Sequence, residues 1–276
     1  MRYRPFGATY GMAVSAVSLR LEDRSRRSAR AWRDLLEGAM GAGVNCFEIG
    51  GDSDGLIGGL AEALALVERR LVFLSWNAPA RSDLEHSART LMDRLAVDHL
   101  DLVIAPDREG LEAARLMKQS RLARLIGYGG TEETADEAVT LPGLDAVVAP
   151  YSLMAGWKER NRLKAASARN MAVIAYDIWP EVLQEPRGPT LVPRGLFRRK
   201  AAKAAHDAYG FLRHTHGWSP EQICLAYALT EPAVTTARFD ADDLERVLSL
   251  ASVPERDLPT GVAAQIEMAR FSAESG

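Results

Sequence analysis

Eight short apolar runs, most followed by a stretch with helical spacing, limit the fold of this chain more than any other feature. The runs end at Leu19, Phe47, Ser75, Ala105, Gly127, Ala149, Ala175 and Ala237. Between them, apolar residues recur at helical spacing over about 28–42, 55–69, 82–96, 109–120, 131–140, 157–170 and 219–230. Parallel strands cannot be joined by a tight turn, so this alternation predicts crossover helices packed over a parallel sheet. Eight strands point to a closed (β/α)8 barrel. An open doubly wound sheet shares the local pattern, because periodicity says nothing about closure. The 276 residues, 47% of them hydrophobic, suit one α/β domain over 1–276.

Segments outside the repeat carry their own expectations. Residues 1–13 read as a short hairpin suited to capping the bottom of a barrel. The run 11-GMAVSAVSL-19 is broken by serines and lacks a small-residue cleavage pattern, so it reads as a strand rather than a secretion signal. Residues 178–200, 178-IWPEVLQEPRGPTLVPRGLFRRK-200, place four prolines between a strand and a helix, in a loop long enough to be functional or mobile. Residues 254–276 read as a final helix with a polar tail. Cys46 and Cys224 read as reduced core thiols, and no apolar run reaches membrane-spanning length. The net charge of −3 gives no drive toward nucleic acid or anionic membrane. A soluble, cytoplasmic chain is the expectation.

The stretch 45-NCFEIGGDSDGLIGGLAEAL-64 reads as a buried strand, a glycine-rich loop and an apolar helix. Polar side chains at such a junction sit over a cleft. Here the strand end offers Glu48 and the loop Gly50, Gly51, Asp52, Ser53 and Asp54, with no aromatic, histidine or lysine among them.

Six segments in order resemble the aldo-keto reductases. These are 2-RYRPFGATYGMAVSAVSL-19, 35-LLEGAMGAGVNCFE-48, 95-LAVDHLDLVIAPD-107, 122-LARLIGYGG-130, 170-NMAVIAYDIWP-180 and 219-SPEQICLAYALTEPAVTT-236. The resemblance implies a (β/α)8 TIM barrel with an N-terminal hairpin and a nicotinamide cofactor at the C-terminal ends of the strands. It also implies four catalytic positions. The aspartate position is Glu48, the lysine position Trp76 and the histidine position Pro106, while the loop that should supply the tyrosine, around Asp52 to Asp54, has none. Such a corner is expected to have no proton relay. Among cofactor positions, Gly129 and Gly130 replace a serine-asparagine pair, and Arg20 with Leu21 replaces a glycine-threonine pair. Tyr176 keeps the stacking aromatic, and Arg238 stands in for the phosphate-loop arginine. Backbone N–H groups at the start of a 240–250 helix are a further candidate phosphate contact. NAD(H) is the implied cofactor and NADP(H) the lesser alternative.

Loss of these groups in a short, alanine- and arginine-rich chain resembles the NAD(H)-binding, aldo-keto-reductase-like cell-division regulators of alphaproteobacteria of the KidO type. That resemblance implies a regulator opposing FtsZ ring assembly and acting on the histidine kinase DivJ. The basic cluster 194-RGLFRRKAAK-203 fits either a solvated helix start or a partner contact through Arg194, Phe197, Arg198 and Arg199. The competing class is an NAD(P)H-dependent oxidoreductase using Glu48 as general acid, with Asp177 nearby. His214 with His216 lack a second cluster at ligand spacing and read as a basic helix end, and Glu48 with Asp52 and Asp54, an acidic trio able to hold a divalent ion, reads rather as solvated loop carboxylates, so no metal is expected.

Overall fold

The computed structural model describes residues 1–7, 11–22, 24, 26–80, 83–184, 208–240 and 243–274. Tyr3–Pro5 (β1) and Ala13–Ser15 (β2) pair antiparallel with each other. Eight parallel strands then close a barrel: Val17–Leu21 (β3), Cys46–Ile49 (β4), Phe73–Asn77 (β5), Leu100–Ala105 (β6), Ala123–Gly129 (β7), Ala146–Pro150 (β8), Ala172–Tyr176 (β9) and Val234–Asp240 (β10). Closure is made by β10, which lies between β9 and β3. This is the (β/α)8 barrel expected from the alternating pattern. The stretch 11–19, read as one strand, divides at Ala16 into β2 of the hairpin and β3 of the barrel.

The hairpin plugs the base of the barrel. Phe6 and Val14 are buried in the interior cluster with Cys46, Phe73, Leu102 and Leu125, and the Phe6 and Phe73 rings lie 4.4 Å apart. Arg4 fastens the plug by donating to the carbonyls of Val234 and Leu229.

Helices Ala29–Gly41 (α1), Asp54–Leu64 (α2), Leu84–Leu95 (α3), Arg108–Gln119 (α4), Glu132–Ala138 (α5), Trp157–Ala168 (α6), Pro220–Thr230 (α7) and Leu244–Ala251 (α8) follow the barrel strands, and Val262–Glu274 (α9) ends the described chain. Their apolar faces bury Leu36, Leu60, Ala88, Ala114 and Leu163 against the outward-facing residues of the strands. The glycines of α2 serve this layer. A Cβ on Gly59 would come within 2.4 Å of the Ala29 carbonyl, and one on Gly55 within 2.2 Å of the Arg27 carbonyl. The glycine-rich stretch therefore lets α2 approach the chain at the start of α1. Among the described residues no helix is long and apolar enough to cross a membrane.

Strand register sorts the barrel interior into two arcs. Along β6 to β9 the inward residues are apolar: Leu102, Ile104, Leu125, Ala146, Val148, Ala172 and Ile174. Along β10, β3 and the upper parts of β4 and β5 they are polar: Thr236, Arg238, Ser18, Arg20, Glu48 and Ser75. The polar arc carries the candidate site.

Candidate ligand site at the barrel mouth

Glu48 and Arg238 meet inside the barrel although 190 positions separate them in sequence. Nη1 of Arg238 donates to both Glu48 carboxylate oxygens at 2.7 Å. Glu48 is 1% exposed and Arg238 8%, so the pair is nearly dry. Arg20 stands beside it, its Nε 3.7 Å from Glu48 Oε1 and 24% of its side chain exposed. Gly50 leaves room for that guanidinium, since a Cβ there would lie 3.1 Å from Arg20 Nε.

Tyr176 closes the end of β9. Its hydroxyl donates to the Gly130 carbonyl at 2.8 Å, and the Arg238 guanidinium carbon lies over its ring, 5.0 Å from the centroid. Burial pushes the Tyr176 phenol up, against the opposing charge of Arg238. That shift is the reverse of what a proton donor near neutral pH needs. Gly129 has φ of +133° and no space for a side chain, because a Cβ would lie 2.1 Å from the Val148 carbonyl. Gly129 and Gly130 thus serve a tight exit from β7, continued by the Gly130 N–H to Val148 carbonyl bond.

Trp76 is placed differently from the sequence expectation. Its sheet neighbours are Ile49 and Val103, which face the helices, whereas Phe73, three residues back, is inside the barrel. Side chains alternate along a strand, so Trp76 points outward and the inward strand-end position belongs to Asn77. Matching by local order missed this; counting parity from Phe73 would have found it. Pro106 follows β6 and stands against the first turn of α4, where a Cβ on Gly110 would come within 2.6 Å of its ring. Asp54 is engaged by Arg94 at 2.7 Å. Arg194, Phe197, Arg198 and Arg199 lie outside the described residues.

Two cavities open at this end. The larger, about 570 Å³, lies between the loop after β4, the loop after β5 and α3, with Trp76, Asn77, His86 and Arg94 in its walls. The smaller, about 320 Å³, lies over the charged arc, lined by Arg20, Tyr176, Asp177, Trp179, Arg238, Phe239 and Arg246 among others. The charged chemistry belongs to the smaller one. Asp177, Trp179, Phe239 and Arg246 are the groove residues that sequence reading left aside or named only in passing. Asp177 adopts φ of +54° directly after Tyr176, and burial, with Glu181 nearby, pushes its carboxyl up.

A dinucleotide in this groove would need cations or free N–H groups for its diphosphate. Arg238 is held by Glu48 and lies against Tyr176, the ring the resemblance reserves for nicotinamide. Arg246 is held by Glu221 at 2.6 Å and donates to the Asp240 carbonyl at 2.8 Å. The N-terminus of α8 is capped by Asp243, whose carboxylate accepts from Arg246 N–H at 2.8 Å. The other mouth helices start in the same self-satisfied way, with Ser28, Ser53, Asp83, Asp107, Thr131 and Ser219 as caps and Glu159 accepting from Gly156 N–H. Asp177 adds a carboxylate with no cation partner among the described residues. Nη1 of Arg238, the Arg246 side chain and one N–H at the start of α8 are thus committed to partners within the protein.

The barrel, hairpin plug and mouth define an aldo-keto-reductase-type fold, and the comparison with solved structures agrees. The chain is similar to the aldo-keto reductase AKR11C1 from Bacillus halodurans, with a TM-score of 0.76 and 16% identity to its holo form, covering 98% of this chain and 96% of that one. To the apo form the TM-score is 0.74 and the identity 17%, with the same coverage. No protein-family model matches the chain. No curated protein matches it.

Proposed function

We propose that this chain is a catalytically silent barrel of the aldo-keto reductase type, which binds a small molecule at its mouth and acts through protein contacts. The observation that supports this reading is the grip of Arg238 on both oxygens of Glu48. Both oxygens of Glu48 are thereby engaged by a guanidinium of the protein itself rather than left open to a substrate. The inward mouth positions described contain no lysine or histidine, and the hydroxyl of Tyr176 is spent on Gly130. Oxidoreduction through Glu48, the competing class, would require this pair to separate.

The resemblance to KidO-type regulators supplies the rest of the proposal: an NAD(H)-responsive protein, with FtsZ and DivJ as partners and Arg194, Phe197, Arg198 and Arg199 as contacts. NAD(H) would have to bind through a rearranged Arg238, Arg246 or residues outside those described. Cofactor-stripped protein titrated calorimetrically with NADH and NADPH, then followed for oxidation with aldehydes and ketones, tests the reading. The expected result is no turnover with any carbonyl. Turnover that Glu48→Gln abolishes would replace the proposal with a reductase. Pull-down of purified FtsZ and of the DivJ kinase domain, with and without NADH, tests the partners. Capture that NADH does not alter would remove the cofactor from the regulatory scheme.

A further inference from the structure

We infer that the floor of the smaller cavity is a binding subsite for a monocarboxylate carried on a flat apolar body. The inference goes beyond the proposed regulator and needs no nucleotide. Two guanidinium groups, Arg20 and Arg238, surround one carboxylate, Glu48, so each keeps donors that the buried ion pair does not use. Glu22 reaches the outer edge of Arg20 at 3.4 Å, and its other oxygen is taken by Arg24 at 2.6 Å.

The donors for such an ion are present. Arg238, 8% exposed, uses only Nη1, so its Nε and Nη2 have no hydrogen-bond partner among the described residues. Arg20 Nε is buried without a hydrogen bond, and so is Trp179 Nε1 in the wall of the same cavity. A carboxylate offers two oxygens in one plane, which matches the fork of a guanidinium. Tyr176, Trp179, Phe239, Leu225 and Leu250 supply flat and apolar walls. The volume of about 320 Å³ stands at the small end of ligand sites.

Benzoate and its neutral counterpart benzamide, titrated into the full chain by calorimetry and thermal shift, test the subsite. Benzoate should bind saturably and raise Tm, and benzamide should bind at least tenfold more weakly. Arg20→Gln should weaken benzoate about tenfold, while Glu48→Gln, which frees the Arg238 fork, should tighten it severalfold. Equal binding of the two probes would overturn the inference. So would Arg20→Gln leaving benzoate affinity unchanged in a protein folded by circular dichroism, and this variant decides alone if Glu48→Gln does not fold. Loss of the NADH response would sink the cofactor part of the regulator while leaving this result untouched, and failure with benzoate would do the reverse.

Discussion

Two buried carboxylates, one at each end of the barrel, show how differently the same group is used. Asp101 at the base and Glu48 at the mouth are both 1% exposed. Asp101 is surrounded by donors fixed in place. Its Oδ2 accepts from Arg69 Nη2 at 2.7 Å and from the Leu74 N–H at 2.9 Å, while Oδ1 faces His99 and Arg124 at 3.6 and 3.7 Å. Burial pushes its carboxyl up, but the His99 ring, the Arg69 charge and the Leu74 N–H outweigh that and leave it below the usual range. Among the described residues no backbone N–H donates to Glu48; its partners are two side chains with donors to spare. A carboxylate tied to backbone locks strands together, whereas one held by side chains alone can exchange partners.

The largest effect should come from breaking the base. Asp101→Ala leaves the Leu74 N–H without its acceptor and Arg69, which keeps the Val72 and His99 carbonyls, without its counter-charge, and should cost about 3–5 kcal/mol in urea unfolding. Arg238→Met should cost less, about 3 kcal/mol or below, because Arg20 stays within reach of Glu48. Adding Glu48→Met to Arg238→Met should recover most of that loss, since it removes the stranded charge. If the double variant is no more stable than the single, the mouth pair is as structural as the base.

The acid limb sharpens the contrast further. The folded-state pKa of Asp101 lies below its unfolded value, so its stabilisation is complete above the ordinary carboxylate range and is lost as pH falls through the folded value. Asp101→Asn should therefore flatten the loss of stability below about pH 4, as followed by urea midpoints across pH. The smallest effect belongs to Tyr176→Phe, which removes one hydrogen bond to the Gly130 carbonyl and should cost about 1 kcal/mol. A loss several times larger would mean that this bond holds the whole mouth.

The barrel was legible because each parallel strand leaves an apolar run and each crossover helix a periodic one. The division at Ala16 was not, since a hairpin strand and a barrel strand joined without a turn signal read as one. At the mouth, Glu48, Arg20, Tyr176 and Arg238 were each named from sequence, yet the Glu48–Arg238 contact was out of reach. Local pattern orders strands along the chain but does not say that the last returns to the first. Trp76 went wrong for another reason: strand parity, not neighbouring sequence, decides which way a side chain points. Arg246 and Asp243, which satisfy each other and their helix end, left no distinguishing mark in sequence.

The closure by β10 also has a temporal side. Until that strand has been synthesised, seven strands form an open sheet whose β3 and β9 edges are bare, and Glu48 has no Arg238. The plug is equally incomplete, because Arg4 docks on carbonyls at Leu229 and Val234. A nascent chain whose strands β3 to β9 had already paired would therefore present an unsealed sheet with a charge facing its hollow, open to edge pairing with other chains. The vessel becomes tight only when its final stave arrives.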